Sequence, residues 1–440
     1  MIFDPICAVA TPRGFSALAV IRCSGENVWK LITPFLKVKH IEPWRLYLTE
    51  FTVDGKMVDE VTVVFYRAPR SYTGEDMVEL IFHGSPIVLK IVMEELFKVG
   101  FREALPGEFT RRAVMNGKMD LLKAEAIEVL VEAKTRKAHE AASFTYQGKL
   151  GQVVESIRQL LIEAMAEVEV ELNYPGEVEV STGGVIIRLE KAKERLERLV
   201  AHGENGITLT EGIRTVIAGR TNVGKSTLLN ALLRKDRAIV TDIPGTTRDT
   251  IEEALSIDGT YFKIVDTAGI REPDNVVERI GIDRSKKEIE MADLVIFMVD
   301  LTDPVPDLKL FEQFRPKMKR YVLLGNKLDL VSECPGDLEL CISANSGGSL
   351  RKLEEKMLEK TADLTDFNEG ELFVTERQKA LTYRALEYLN ETLDALKQGI
   401  TMDIISSFLH QTIKTLDELT GKYLQDDLLD TIFSNFCVGK

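Results

Sequence analysis

Apolar positions along the chain change period three times. Up to about residue 118, alternating or continuous apolar runs at Ala17–Ile21, Arg45–Val53, Glu60–Tyr66 and Asp76–Phe82 predict strands, and Pro86–Val99 predicts a helix. Turn signals at Asp54-Gly55 and Pro106-Gly107 separate these runs, so the region reads as α+β. From Asp120 the spacing becomes helical. Leu121 to Asn173 is rich in Ala, Glu, Leu and Lys, with apolar residues three and four apart (Ile127, Leu130, Val131; Ile157, Leu160, Leu161, Ala164). Tyr174-Pro175-Gly176 predicts its stop, and a further helix is expected from about Val185 to His202, ending near Gly203. Short apolar runs closed by polar loops then occupy about 212–362, and helical spacing returns from about Thr375 to Phe436.

Four segments follow: 1–118, α+β; 119–211, helical; 212–362, α/β; 363–440, helical again. Neither helical flank carries a complete apolar cluster. The expectation is one helical domain interrupted by an inserted α/β domain, whose changes would reach both halves of the helical platform.

The inserted segment carries chemistry. Gly219-Arg220-Thr221-Asn222-Val223-Gly224-Lys225-Ser226 follows the apolar run Thr215–Ala218 and precedes another from Thr227 to Leu233. That order is strand, glycine-rich loop, helix. Backbone N–H groups at such a loop close around phosphate oxygens, and the helix N-terminus adds partial positive charge. Lys225 reaches the β- and γ-phosphates, and the Ser226 hydroxyl suits Mg²⁺. Three further motifs follow in order, each after a predicted strand. Asp266-Thr267-Ala268-Gly269 follows Tyr261–Val265, Asn326-Lys327-Leu328-Asp329 follows Tyr321–Leu324, and Ser343-Ala344-Asn345 follows Leu338–Ile342. A carboxylate at Asp329 accepts two hydrogen bonds from guanine N1 and N2, a pair that adenine does not offer. The series reads as a Ras-like GTPase domain, binding nucleotide at the carboxyl ends of its strands.

Two departures bear on hydrolysis. Where Ras-like GTPases place a water-orienting Gln after Asp-x-x-Gly, this chain has Ile270. An aliphatic side chain cannot polarise water, which leaves Glu272 and Glu278 as candidate carboxylates. The second is Asn222 together with Thr241-Asp242-Ile243-Pro244-Gly245-Thr246-Thr247-Arg248-Asp249. Thr247 can offer Mg²⁺ a hydroxyl. The Asn222 amide oxygen, with carbonyls of Thr241 and Ile243, can cage a monovalent cation where an arginine finger would otherwise act. The nucleotide-binding set is Asn222 through Thr227, Thr241 through Thr247, Asp266 through Gly269, Asn326 through Asp329 and Ser343 through Asn345, with Lys225 and Thr247 in catalytic roles beside Glu272 or Glu278.

The net charge of −14 argues against a protein that coats nucleic acid by bulk electrostatics, and no DNA role is expected. Residues 1–118 balance at +1, so the acid lies beyond them and any RNA contact needs a local patch or a partner. No apolar run approaches the ~20 residues that span a bilayer, so no membrane role is expected. The five cysteines (Cys7, Cys23, Cys334, Cys341, Cys437) are odd in number and spread out, without a Cys-x-x-Cys pair. With no signal-like N-terminus, they predict a reducing, cytoplasmic setting.

Gly245-Thr246-Thr247-Arg248-Asp249, Asp266 through Arg271 and the ending Phe436-Cys437-Val438-Gly439-Lys440 together resemble the MnmE (TrmE) family of tRNA modification GTPases. Thr73-Gly74-Glu75-Asp76 with Glu79, His83-Gly84, Pro106 through Thr110, Asn116 through Leu121 and Asp426 through Asp430 extend the likeness over the whole chain. The resemblance implies a homodimer formed through a tetrahydrofolate-binding-like N-terminal domain. It also implies a flavoprotein partner, MnmG. The reaction implied adds an aminomethyl-type group (carboxymethylaminomethyl) at C5 of the wobble uridine of certain tRNAs, with a folate one-carbon unit. GTP hydrolysis would be potassium-stimulated. Carried over by motif, Asn222, Thr241, Ile243 and Thr246 would surround K⁺, and Ser226 and Thr247 would hold Mg²⁺. Glu278 would orient water. Arg22, Glu79, Lys118 and Lys440 would contact 5-formyltetrahydrofolate or a related reduced folate. Thr221 stands where the family commonly has Pro, and Val438 where it has Ile or Leu. Two other readings are an Era-like ribosome-assembly GTPase, for which Thr182-Gly183-Gly184-Val185 lacks the basic setting of a KH loop, and a folate-dependent methyltransferase with a regulatory GTPase.

Overall fold

The computed structural model of the chain describes residues 4–12, 14–174, 182–235, 253–265, 287–344, 347–366, 371–423, 426–434 and 436–439. It divides into two units, Met1–Glu128 with His410–Lys440, and Val129–Leu409.

In the first unit, period-two alternation builds a sheet with two unlike faces. Its strands are β1 (Ile6–Val9), β2 (Ser16–Ser24), β3 (Leu46–Val53), β4 (Lys56–Tyr66), β5 (Met77–Gly84) and β6 (Arg102–Glu103), in the order β3-β4-β5-β2-β1-β6. The four expected strands are present, each shifted or lengthened by a few residues. β1 and β6 are too short to show in the apolar pattern. One face carries Ile21, Val61, Val63, Phe65, Leu80 and Phe82, packed on Leu89, Val92 and Leu96 of the helix Pro86–Lys98. Each such side chain contributes roughly 1.5–3 kcal/mol of burial.

The register fixes the other face. Leu46 pairs Val64, Leu48 pairs Thr62, Ile81 pairs both Thr62 and Val20, and Glu79 pairs both Val64 and Arg22. Cross-strand partners share a face. At one end of this face Ile6, Ala8, Met77, Ala104 and Phe109 form a small core. At the other, Leu18, Leu46 and Leu48 are 60%, 62% and 67% exposed. Arg22 and Glu79 stand between the two ends. The C-terminal helix Asp426–Phe433 closes the unit: Leu429, Phe433 and Phe436 pack with Val114, Leu121 and Ala124.

The expected helical run from Leu121 to Asn173, which begins in the first unit and continues into the second, is not one helix. It forms helices Leu121–Glu132, Arg136–Tyr146 and Lys149–Asn173. Thr135 caps the second by accepting from the Ala138 amide at 3.2 Å, and Gly148, at φ +84°, turns the chain into the third. The next helix runs Thr182–Glu211, well past the stop expected at Gly203. The reason is packing. A Cβ at Gly203 would lie 2.3 Å from the Phe373 ring, and one at Gly206 would lie 2.3 Å from the Phe373 carbonyl. These glycines form a slot for Phe373 in a continuing helix; they do not end it. The segment after the inserted domain thereby packs on the segment before it. Leu372 joins Ala141 and Leu209, and Lys397 of the helix Glu376–Lys397 pairs with Glu190 at 3.0 Å. The helical domain is thus interrupted, as its incomplete stripes imply.

The insertion is a sheet of β7 (Ile213–Ala218), β8 (Glu253–Ile257), β9 (Thr260–Val265), β10 (Leu294–Asp300), β11 (Tyr321–Asn326) and β12 (Leu340–Cys341), in the order β12-β11-β10-β7-β9-β8. All described pairs are parallel except β8 with β9. Both faces are covered. Leu228, Leu232, Leu353 and Met357 pack with Ile217, Ile296 and Leu324 on one, and Phe311 packs with Val295, Phe297 and Val299 on the other. Two-sided burial explains the unbroken apolar run Leu294–Val299 of β10. β12 is shorter than the expected Leu338–Ile342.

Candidate functional site

The loop after β7 takes its shape from three residues with positive φ: Gly219 at +144°, Asn222 at +63° and Gly224 at +105°. Two are glycine for a steric reason. A Cβ at Gly219 would lie 2.7 Å from the Met298 carbonyl oxygen, and one at Gly224 would lie 2.3 Å from Asn326 Nδ2. Asn222, exposed on the loop, is a residue type that tolerates the left-handed region. Lys225 opens the helix Lys225–Lys235, and its Nζ donates to the carbonyls of Gly219 at 2.8 Å and Arg220 at 2.7 Å. The ammonium is therefore held inside the curve of the loop. Ser226 and Thr227 follow it, exposed in the first turn, and Val223 is buried beneath.

Asn326 joins three segments of the site. Its Nδ2 donates to the Val223 carbonyl at 2.8 Å, and its Oδ1 accepts from the Ala344 amide at 3.0 Å. The Leu328 amide donates to the Ile342 carbonyl at 3.1 Å, which aligns Ser343 and Ala344 beside Lys327, Leu328 and Asp329. Lys327 sits at φ +69° with its ammonium on Asp300, at the end of β10. Burial works against the Asp300 charge. The Lys327 ammonium and the Thr302 hydroxyl and amide outweigh it, holding the carboxyl below its ordinary range. Asp329 lies exposed on a 3₁₀ turn, where a base can reach it. The phosphate loop, Asn326 through Leu328 and Ile342 through Ala344 are thus one hydrogen-bonded assembly.

Sequence reasoning missed Asp307. Its side chain is fully buried, accepts from the Asp300 amide at 2.9 Å and grips Arg220 of the phosphate loop with both oxygens. A lone Asp in the helix Pro304–Phe314 gives no such signal. Thr241 through Thr247, Asp266 through Gly269, Glu272, Glu278 and Asn345 lie outside the described residues. Thr182 through Val185 begin a helix, which is not the geometry of a nucleic-acid-binding KH loop.

A second cluster lies on the N-terminal sheet. Arg22 meets Glu79 through Nε at 3.0 Å and Nη2 at 2.9 Å, and its Nη1 donates to the Gly439 carbonyl at 3.2 Å. Tyr66 donates to the other Glu79 oxygen at 2.9 Å. Burial and the neighbouring carboxylate push the Tyr66 phenol up to about 12, which keeps it a donor. The Arg22 guanidinium lies over the rings of Tyr72 and Phe109, 5.1 and 5.8 Å from their centroids. The tail is seated by its glycine. Gly439 has φ +97°, and a Cβ there would lie 2.8 Å from Ala10 Cα. Gly107 N–H donates to the Cys437 carbonyl at 3.4 Å. Lys118 Nζ donates to the Pro69 carbonyl at 2.8 Å, and its stem lies along Gly74, two residues from Tyr72. Arg22, Glu79 and the tail are brought together, Lys118 lies on the adjoining loop, and Lys440 lies outside the described residues. Tyr66, Tyr72 and Phe109 are additions that the strand and helix patterns did not single out.

Cys334 and Cys341 are joined as a disulfide, which the reading from number and spread did not foresee. Cys7 and Cys23 are buried. Burial pushes the Cys7 thiol up to about 12 and raises that of Cys23 well above its ordinary value. Among the described residues no helix is long and apolar enough to cross a membrane.

Comparison with known proteins places the chain in a family. A family model described as the GTP-binding protein TrmE N-terminus matches residues 5–118, and one described as the MnmE helical domain matches residues 121–437. Relatives named tRNA modification GTPase MnmE align end to end. The protein of Thermotoga sp. strain RQ2 is 46% identical over 451 residues, covering 99% of this chain and 100% of its own. That of Petrotoga mobilis is 38% identical over 455 residues, covering 100% of each, and that of Aquifex aeolicus 39% over 450, covering 99% and 100%. The solved G domain of FeoB from Methanococcus jannaschii covers 35% of this chain and 98% of its own at 25% identity, with a TM-score of 0.27, too low to bear on the fold. The chain belongs to the MnmE (TrmE) family of tRNA modification GTPases.

Proposed function

We propose that this GTPase acts on tRNA with a flavoprotein of the MnmG kind, adding an aminomethyl-type group (carboxymethylaminomethyl) at C5 of the wobble uridine with a one-carbon unit from a reduced folate. The observation that carries the reading is the Arg22–Glu79 pair joined to the Gly439 carbonyl at 3.2 Å. A cation and a carboxylate side by side, on a sheet face that is apolar beyond them, suit a ligand with a flat heterocycle and an acidic tail. Glu79 would accept from the pterin N–H donors. The tail would bring Lys440 to the acidic end. Lys118, on the adjoining loop, supplies a second cation. The exposed Leu18, Leu46 and Leu48 support a homodimer formed through this face.

For hydrolysis, Lys225 within the loop binds the β- and γ-phosphates, Asn326 fixes the loop to the base-reading segments, and Asp329 reads guanine. Ser226, exposed in the first helical turn, fits an Mg²⁺ ligand, with Thr247 as its expected companion. Asn222, exposed beside the phosphates, fits a K⁺ ligand, with Thr241, Ile243 and Thr246. These ions would neutralise charge on the phosphate oxygens as the bond to the γ-phosphate breaks. Glu278 is proposed to orient the attacking water.

The test is to quantify modified wobble uridines in tRNA from cells lacking this protein, complemented with the wild type or with Arg22→Ala. The wild type is expected to restore the modification and the variant to fail while retaining GTP hydrolysis. Full modification in the deletion strain would overturn the reading. Folate-dependent transfer without a flavoprotein would replace it with that of a methyltransferase.

A further inference from the structure

The cysteine pair sits at a sensitive place. Cys334 and Cys341, seven positions apart with Cα atoms 6.0 Å apart, close the loop between Asn326-Lys327-Leu328-Asp329 and Ser343-Ala344. Cys341 ends β12, and the next residue, Ile342, donates its amide to the Gly325 carbonyl at 2.8 Å and accepts from the Leu328 amide at 3.1 Å. The Cys341 sulfur also packs on the backbone just before Asn326. A Cβ at Gly325 would lie 3.1 Å from it and 2.8 Å from Leu338 Cδ1, inside the same loop. The bond therefore shortens the free loop that joins Asn326–Asp329 to Ser343-Ala344 and fixes it beside Gly325. Cys334 is exposed and Cys341 half-buried, so the pair is open to exchange, whereas Cys7 and Cys23 are buried.

We infer that Cys334 and Cys341 form a thiol–disulfide modification site that sets how tightly the base-reading segments hold a guanine nucleotide, with a low-molecular-weight disulfide as its oxidant. In the forward step the Cys334 thiolate attacks the small disulfide RSSR and releases one RS⁻. The Cys341 thiolate then attacks the mixed disulfide at the Cys334 sulfur and releases the second. Two electrons pass from the cysteine pair to RSSR, the S–S bond of RSSR breaks, and the protein S–S bond forms. The two thiol protons end on the two RSH. A small dithiol reverses the reaction. The closed form removes conformations that the loop would otherwise sample, so Ile342 through Ala344 stay aligned against Asn326 and Leu328. The open form frees the loop, and nucleotide leaves faster.

Linkage makes the idea testable from both sides. If the bond tightens the nucleotide, the nucleotide must protect the bond by the same factor. The inference rests on guanine-nucleotide binding at this site. The experiment uses the full chain and a fluorescent GDP. Release is followed by stopped flow after equilibration in graded mixtures of a small thiol and its disulfide, with free thiols counted under denaturing conditions. Reducing mixtures should expose two further thiols and speed release roughly fivefold or more. Cys334→Ser should release at the reduced rate in every mixture. Bound GDP should shift the midpoint of thiol exposure toward more reducing mixtures, which a merely structural cross-link would not show. A thiol count that stays at five across all mixtures overturns the inference, as does identical release in both forms. Failure of GDP to bind in either form would overturn the nucleotide reading and this inference with it.

Discussion

The two candidate sites are built in opposite ways. The phosphate loop takes its form from six consecutive residues between β7 and the helix Lys225–Lys235, with three positive φ values in that stretch and Lys225 bonded back to its own loop. The sheet-face site takes its form from residues 57 and 417 positions apart: Arg22 with Glu79, and Arg22 with Gly439. A locally built site survives as a string in the sequence. A site assembled by register and by a docked tail leaves only single residues that look like ordinary surface charge. The largest test of this contrast is removal of Cys437 through Lys440. Wobble-uridine modification should be abolished and reduced-folate affinity weakened, while GTP hydrolysis stays near wild type, because the tail bonds to Arg22 and the phosphate loop is shaped by its own residues. Titration of 5-formyltetrahydrofolate into the truncated chain by calorimetry checks it, and undiminished affinity would mean the tail serves another contact.

On the nucleotide side, the largest effect is expected at Asp329. Asp329→Asn removes the carboxylate proposed to accept two guanine hydrogen bonds, each worth roughly 1.5–3 kcal/mol to a charged group. GTP affinity should fall by roughly 100-fold or more, and xanthine nucleotides should bind better than in the wild type. Competition binding with GTP and XTP decides it. Asn326→Ala should do less. Two hydrogen bonds of a buried amide are lost, leaving the Val223 carbonyl and the Ala344 amide without it, at about 1–3 kcal/mol each. The expected loss in GTP affinity is roughly 10- to 100-fold. Gly224→Ala should resemble it, since the added Cβ would lie 2.3 Å from Asn326 Nδ2. Neither change should alter folate affinity. If either does, the two sites are coupled and the contrast is too sharp.

A smaller effect separates the cation from the nucleotide. Hydrolysis should be faster in KCl than in matched NaCl, because a cavity of several carbonyls suits the larger ion. Asn222→Ala should remove most of that difference while GTP affinity changes by less than roughly threefold, since Asn222 is exposed and its loop is held by Gly219, Gly224 and Asn326 instead. Equal rates in the two salts for the wild type would remove potassium from the mechanism.

The same contrast explains what the sequence made legible. The strand–loop–helix order, Lys225, Asn326 and Asp329 were readable because each lies at a fixed offset from an apolar run. The four long strands of the N-terminal sheet were readable by alternation, and so was their α+β character. Asp307 was not, because nothing local tells a buried carboxylate that grips Arg220 from a solvated one. The helix through Gly203 was misjudged because glycine usually ends a helix; the ring of Phe373, 170 positions away, reverses that meaning. The pairing of Cys334 with Cys341 was not legible, because number and spread say nothing of the loop that brings their Cα atoms within 6.0 Å. Arg22, Glu79 and the tail entered through family likeness alone. Their cluster is the part of the chain that spacing could not have found.

The smallest expected effect concerns acid, and it can be read separately on the two sides. Each region holds a carboxyl below its ordinary range against the cost of burial: Asp300 by Lys327 and Thr302, and Glu108 by Arg102, the Leu105 amide and Arg112. A carboxyl lowered in the folded state adds stability that is fully present above its unfolded value and is lost as pH falls through the folded one. The ordinary values are 3.8 for Asp and 4.5 for Glu, so both contributions should be intact at neutral pH and fade only as pH drops below about 4.5. The probes are separable because both tryptophans, Trp29 and Trp44, lie in the N-terminal unit, while bound fluorescent GDP reports the nucleotide site. Glu108→Gln should lower stability at neutral pH and flatten the acid limb of tryptophan-detected unfolding, leaving the GDP signal as it was. Asp300→Asn should flatten the acid limb of GDP release and leave the tryptophan signal unchanged. If either variant moves both signals, acid sensitivity is shared between the two regions and their separate construction does not extend to their stability.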